Sequence, residues 1–322
     1  KIGLVWRDGD WLVKFPGTTR NLQGSVPSYT TAPVSEWLGS HVYAALGIPV
    51  HETMLGIRDG RIVCACRDFT FPDSRLVNFH DLKNSLSDDE PGFTEDASTG
   101  SGVVLADVRS AIHRIPVLRS IDGVSDRFWD MFVVDAFIRN IDRNNTNWGV
   151  LRNPRGEFSL APVYDNGNSF NNKRTDSGIE RRLANPDLIR QDALDVRSCY
   201  VTDRGKPIAP LKYLASGQDE ECTKALDRFM ERYDPRSFHD LLGSIPSMSH
   251  GLTVVPDGFH EYHRKVCDYR YEHAFMEAWR ELHPTVGFPS SPEASVPEPL
   301  PDPDPSVLPS SSVPTCFDGP GM

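Results

Sequence analysis

Residues 140–148 read Asn-Ile-Asp-Arg-Asn-Asn-Thr-Asn-Trp, and residues 165–167 read Asp-Asn-Gly. Asp142 and Asn147 lie five positions apart in a polar loop, and Asp165 follows Asn147 by eighteen. Two carboxylates and a side-chain carbonyl in this order suit phosphoryl transfer. Asp142 would accept or orient the proton of an attacking hydroxyl. Asn147 and Asp165 would supply the oxygen ligands that a hard cation such as Mg²⁺ prefers. Such ions bridge phosphates and neutralise charge as the γ-phosphoryl of ATP leaves. Each piece alone is also an ordinary turn, because Asn and Asp satisfy their own backbone. The order of the whole set is what favours chemistry.

The spacing Asp-x-x-x-x-Asn, followed by Asp-x-Gly, is that of the protein-kinase pattern. Here Asn140-Ile141 replaces His-Arg and Asp-Asn-Gly replaces Asp-Phe-Gly. Upstream, Lys14 lies in the strand-like run Leu12-Val13-Lys14-Phe15, and Glu36 opens the following helix 22 residues later. A strand Lys on the phosphates, steadied by a helix Glu, is the ion pair this chemistry uses. Arg67-Asp68-Phe69 follow a second hairpin, where the chain would pass from a small lobe to a large one. Their main-chain groups are candidates for binding adenine.

The elements that must position these residues are readable. Gly3–Trp6 and Trp11–Phe15 flank Asp8-Gly9, a hairpin signal. A helix is predicted over Val34–Leu46, with Pro33 at its start and Gly47 at its stop. A second hairpin, Thr53–Ile57 and Arg61–Cys66, turns at Asp59-Gly60. Beyond residue 78 the pattern becomes helical, with a loop at residues 96–102. Helices are predicted over Val104–Ile115 and over Arg127–Ile138, the latter capped by Ser125-Asp126 and apolar enough to be buried. Short strands at Trp148–Leu151 and Phe158–Leu160 bracket a turn. Further helices are expected near Glu220–Arg232, Ser237–Leu242 and Asp257–Leu282. The class is α+β.

Composition narrows the rest. The net charge of −11 over 322 residues argues against the phosphate-backbone attraction that drives nucleic-acid binding. No apolar run is long enough to span a bilayer, so no membrane association is expected. The six cysteines form no metal-spaced pair and no dense disulfide framework, so a reduced, cytoplasmic protein is expected, with secretion left open. Cys64 and Cys66 are expected on opposite faces of a strand. His260-Glu261-Tyr262-His263 lacks the spacing that puts two metal ligands on one helical face and reads as a solvated helix turn. Residues 284–322 hold 11 of the 26 prolines and read as an extended tail, with docking of a partner as the alternative.

Together these stretches resemble the HipA-like Ser/Thr protein kinases, and within them the CtkA-type subgroup. The resemblance rests on Val13–Pro16, Ser35–His41, Leu46–Pro49, Phe79–Ser85, Asp135–Ile138, Asn140–Asn144 and Ala161–Gly167, and covers roughly residues 1–280. It implies a protein-kinase-like two-lobed fold: a small, mainly β lobe with one helix over residues 1–70, and a larger helical lobe over 71–283. It implies dependence on ATP and Mg²⁺ and transfer to Ser or Thr of a protein substrate, the chain itself included. Asp142 would be the catalytic base, Asn147 and Asp165 the metal ligands, Lys14 the phosphate contact and Glu36 its partner. An antitoxin is a further partner expected from the family. Asn144 stands where the best-known members have His. The family's phosphate-covering loop precedes the first hairpin strand, and this chain begins at Lys1, so at most the end of that loop is expected. That departure keeps two other readings open: a catalytically silent nucleotide-binding scaffold, and a transferase of another part of ATP or onto a small molecule.

Overall fold

Two hairpins form the first sheet. In the computed structural model, which describes residues 1–6, 9–18, 30–70, 72–87 and 103–284, β1 (Ile2–Trp6) pairs with β2 (Gly9–Lys14). Helix α1 (Ala32–Ala45) follows, with proline in its first turn and Gly47 at φ +69° just past its end. Then β3 (Thr53–Arg58) and β4 (Arg61–Arg67) turn on Asp59-Gly60, both at positive φ. The antiparallel order is β1-β2-β4-β3, with Lys14 opposite Cys64. Cross-strand partners share a face, so Lys14 and Cys64 point the same way.

Cys64 and Cys66 also share that face, contrary to expectation. The side-chain period of a strand is two, so residues two apart point together. Both thiols are buried, and Ala65 between them is only half-buried.

The chain continues through β5 (Arg75–Asn78) into α2 (Phe79–Ser87). After β6 (Val103–Val104) come α3 (Leu105–Arg114), α4 (Pro116–Arg119) and α5 (Val124–Ile138). Helix α5 starts at Val124 behind Gly123, which has φ +77°, so Ser125-Asp126 lie inside the helix rather than capping it. Eleven of its fifteen residues are buried, which makes it the axis of the main core. Next, β7 (Gly149–Arg152) and β8 (Phe158–Leu160) join β5 in a three-stranded sheet of order β5-β7-β8. The β5 edge was not anticipated from the sequence.

The remainder is largely helical: α6 (Asp176–Leu183), α7 (Pro186–Leu194), β9 (Tyr200–Val201) parallel to β6, α8 (Pro210–Ser216), α9 (Glu220–Arg232) and α10 (Pro235–Gly243). A small hairpin, β10 (Met248–Ser249) and β11 (Leu252–Thr253), leads to α11 (Phe259–Arg270). A π-turn over Tyr271–Phe275 links it to α12 (Met276–Leu282). The expected long helix over 257–282 is therefore one helix with a π insertion. Tyr262 and His263 face its packed side, not solvent. Burial holds His263 down to about 3, so it stays neutral. The loop at 96–102 and the tail beyond Pro284 lie outside the described residues. No described helix is long and apolar enough to cross a membrane.

One glycine fixes how closely β7 approaches β5. A Cβ on Gly149 would lie 2.2 Å from the carbonyl oxygen of Val77, which is backbone and cannot step aside. Gly149→Ala should destabilise the fold by about 3 kcal/mol, the upper end for overpacking. Urea unfolding checks this; an unchanged midpoint would mean the two strands are not so close.

Candidate active site

Helix α5 ends where the polar loop begins. Arg139 adopts the left-handed conformation (φ +57°), and its N–H donates to the Asp135 carbonyl. This terminates the helix and delivers Asn140, Ile141 and Asp142. Asn140 Oδ1 accepts from the Asp142 N–H at 3.1 Å. Asn144 Oδ1 accepts from the Thr146 N–H at 2.9 Å and its hydroxyl at 2.6 Å. The asparagines thus shape the loop as turn residues.

The same loop aims its side chains. Asp142 is half-buried, and both carboxylate oxygens are gripped: Oδ1 accepts from Asn144 Nδ2 at 2.8 Å and Oδ2 from Asn168 Nδ2 at 2.7 Å. Asn147 donates from Nδ2 to the Asp142 carbonyl at 2.7 Å. Its amide is thereby oriented, and Oδ1 has only a long 3.4 Å contact from the Thr146 hydroxyl.

Beneath the loop lies Arg143, only 1% exposed. Its Nε donates to Asp135 Oδ2 at 2.8 Å, and Nη2 donates to Asp135 Oδ1 at 3.2 Å and to Asn166 Oδ1 at 2.5 Å. Nη1 donates to the Asn147 carbonyl at 3.0 Å and to the Tyr164 carbonyl. One guanidinium therefore ties α5 and the 142–147 loop to the segment carrying Asp165. Asp135 also accepts from the Tyr43 hydroxyl at 2.8 Å and from Asn140 Nδ2 at 3.1 Å. Burial depresses the arginine, but the Asp135 carboxylate, with Tyr43 beside it, outweighs that and holds it well above its ordinary value.

Asp165 has φ +61°, unusual for a non-glycine residue. Its Oδ1 accepts from Lys14 Nζ at 2.8 Å, and the same ammonium reaches Glu36 Oε2 at 2.9 Å. Glu36 lies beyond the first turn of α1 and is 1% exposed. His51 Nε2 sits 3.0 Å from Glu36 Oε1 and 3.2 Å from the Ser40 hydroxyl. Burial would raise the Glu36 carboxyl, but the His51 hydrogen bond and the Lys14 charge hold it far below the carboxylate range. Burial lowers Lys14, but Glu36 and Asp165 raise it above the ordinary lysine value. Ser40 also accepts from Asn166 Nδ2 at 3.0 Å. Glycine at 39 allows that approach, since a Cβ there would lie 2.8 Å from Asn166 Cβ.

The structure thus brings Lys14, Glu36 and Asp165 into one bonded set, and Asp142 and Asn147 into another, joined by Arg143 and Asn166. Arg67, Asp68 and Phe69 stand apart at the end of β4. The N–H groups of Arg67 and Asp68 donate to the carbonyls of Glu52 and Asp10. The Phe69 ring lies 5.5 Å from that of Tyr164, just before Asp165. Sequence reasoning gave no role to Arg143, Asp135, His51, Ser40 or Asn168. The available signal was Asp135, the one acid in the apolar run Met131–Ile138, eight residues before an arginine. Glu36, His51 and Cys66 also bring potential metal-ligand atoms within 4.8 Å of one another. The Lys14 ammonium already neutralises this Glu36, so the cluster has its cation.

The oxygen donors Asn147 and Asp165 fit a hard cation, with Lys14 beside them for phosphate oxygens. A four-stranded antiparallel sheet with a strand-Lys/helix-Glu ion pair, followed by a helix-rich part that carries the Asp142–Asn147 loop and Asp165, is the arrangement of the protein-kinase-like class. The HipA-like C-terminal domain matches residues 1–237, and the chain belongs to that family. It is 33% identical over 251 residues to the serine/threonine-protein kinase CtkA of Helicobacter pylori, covering 77% of this chain and 74% of that protein. The crystal structure of a Helicobacter pylori proinflammatory kinase CtkA matches with a TM-score of 0.75 at 28% identity, over 88% of this chain and 94% of that one. The HipA–HipB–operator DNA complex of Shewanella oneidensis gives a TM-score of only 0.45 at 12% identity, over 84% of this chain and 60% of the other, too distant to bear on partners.

Two measurements check this geometry. Arg143→Met leaves Asp135 buried without its cation and should cost roughly 3–5 kcal/mol by urea unfolding; the double variant with Asp135→Asn should recover part of it. For Glu36 the sign is set by its depressed folded value. Its stabilisation is present above the unfolded value of 4.5 and is lost as pH falls through the folded one. The stability gap between the wild type and Glu36→Gln should be constant near neutrality and should shrink below pH 4.5.

Proposed function

We propose that this chain is a protein serine/threonine kinase that transfers the γ-phosphoryl group of ATP to protein hydroxyls, its own included. The observation that carries the reading is the joint anchoring of Asp142, Asn147 and Asp165 around Arg143, with Lys14 bridging Glu36 and Asp165. On this reading residues 1–70 act as the small lobe and 71–283 as the large one.

Asp142 takes the proton of the acceptor hydroxyl as its oxygen bonds to the γ-phosphorus and the bond to the bridging oxygen of ADP breaks. Asn144 and Asn168 hold that carboxylate in place, so its orientation is set before the acceptor arrives. Lys14 binds phosphate oxygens, and Glu36 keeps its stem fixed between sheet and helix. Asn147 Oδ1 and the Asp165 carboxylate would hold Mg²⁺, which when bound offsets charge on the phosphates. Adenine is assigned to the turn at Arg67-Asp68-Phe69. The Arg67 and Asp68 amides are engaged within the sheet, which leaves the main chain of Phe69 as the binding edge.

The test is incubation with γ-labelled ATP and Mg²⁺, wild type beside Asp142→Ala. Label should appear on Ser or Thr and fall by roughly 10²–10⁴ in the variant, with ATP affinity retained. Asp165→Ala should instead lose the Mg²⁺-dependent part of nucleotide affinity, read by calorimetry. Equal labelling by wild type and Asp142→Ala would contradict the assignment.

A further inference from the structure

A recess of about 250 Å³ opens beside the base loop and is not used by the chemistry above. Arg139, Lys173 and Arg174 line it, and no carboxylate does. In a chain of net charge −11, three cations converging on one recess need an explanation. Among the described residues, only Arg174 of the three has a direct ion pair. Arg174 Nη2 pairs with Asp192 at 2.7 Å, but Asp192 also serves the Arg182 guanidinium. Arg139 Nε donates to a main-chain carbonyl, that of Asp195, at 3.3 Å. Lys173 is exposed and has no ion-pair partner among the described residues. Burial and then the nearby Arg174 charge pull Arg139 below its ordinary value, although Asp195 and Asp192 act the other way. The buried Nε of Arg174 has no hydrogen-bond partner among the described residues.

The recess is also in the right place. Asn168 lines it and donates to Asp142 Oδ2 at 2.7 Å, so wall and base are one hydrogen bond apart. Ile141, the residue before the base, is 43% exposed at its rim. A peptide presenting a hydroxyl to Asp142 would carry a neighbouring side chain over this opening. Two guanidinium groups and an ammonium match a dianionic phosphomonoester better than a single carboxylate.

We infer that the recess is an acceptor subsite for an anionic side chain, preferentially a phosphoserine or phosphothreonine, close in sequence to the hydroxyl that receives the phosphoryl group. This rests on the kinase reading and adds a substrate class to it: peptides already phosphorylated nearby. Glutamate at the same position is a weaker occupant.

The experiment uses the full chain and one Ser-containing peptide in three forms, with phosphoserine, Glu or Ala flanking the acceptor. KM should be lowest for the phosphorylated form, by about tenfold against Ala, equivalent to about 1.4 kcal/mol. Lys173→Glu should remove that advantage while leaving the Ala peptide and the KM for ATP unchanged. Binding of the fluorescent phosphopeptide, read by anisotropy, follows the recess independently of transfer. Transfer to all three peptides with equal KM would overturn the subsite and leave the kinase standing. Phosphopeptide binding that is lost in Lys173→Glu, with no transfer to any peptide, would uphold the subsite and sink the kinase reading. Equal binding of phosphorylated and Ala forms would overturn the subsite, as would displacement of the phosphopeptide by inorganic phosphate at the same concentration.

Discussion

The buried guanidinium of Arg143 is the constraint on which the site depends. An arginine at 1% exposure persists only if its charge is matched and its donors are met. Asp135 matches the charge, and the carbonyls of Asn147 and Tyr164 and the amide oxygen of Asn166 meet the rest. These acceptors come from helix α5, from the 142–147 loop and from the 164–166 segment. Satisfying one buried cation therefore fixes three separate stretches of chain against one another. Asp142-Arg143 and Asp165-Asn166 work as units: Arg143 and Asn166 hold the scaffold, and on the kinase reading Asp142 and Asp165 face the chemistry.

A second linkage runs from the first sheet. Lys14 spans Glu36 on α1 and Asp165 beyond the 142–147 loop, so strand, helix and the 165–167 segment meet at one ammonium. Binding phosphates would draw on the same ammonium. Of its two contacts, Lys14–Glu36 is the deeper, with His51 on the far oxygen of Glu36. The two linkages meet at Asn166, which touches Arg143 on one side and Ser40 of α1 on the other.

Much of this was legible in the sequence because it is local. Asp8-Gly9 and Asp59-Gly60 announce the two hairpins, and the apolar run before Asn140 announces the buried helix. Order and spacing singled out Lys14, Glu36, Asp142, Asn147 and Asp165 as candidates, and the expected Lys14–Glu36 ion pair is present. What was not legible is non-local or ambiguous in type. An edge strand of four residues, β5, exists because β7 pairs with it across seventy residues of chain. Arg143, in an Asn-rich loop, carried no sequence signal of its burial against Asp135. His263 read as a surface histidine because helix periodicity alone did not say which face would pack. The Cys64/Cys66 expectation failed on the pleat itself. Asn168 lies in a turn whose importance comes only from where its amide points.

The most direct test of the account is a crystal structure with a non-hydrolysable ATP analogue and Mn²⁺ in place of Mg²⁺. The anomalous signal of the metal should lie against Asn147 Oδ1 and the Asp165 carboxylate, with the terminal phosphate facing Asp142 and Arg143 unmoved between Asp135 and Asn166. A nucleotide bound away from Lys14, or a metal held by neither Asn147 nor Asp165, would contradict it.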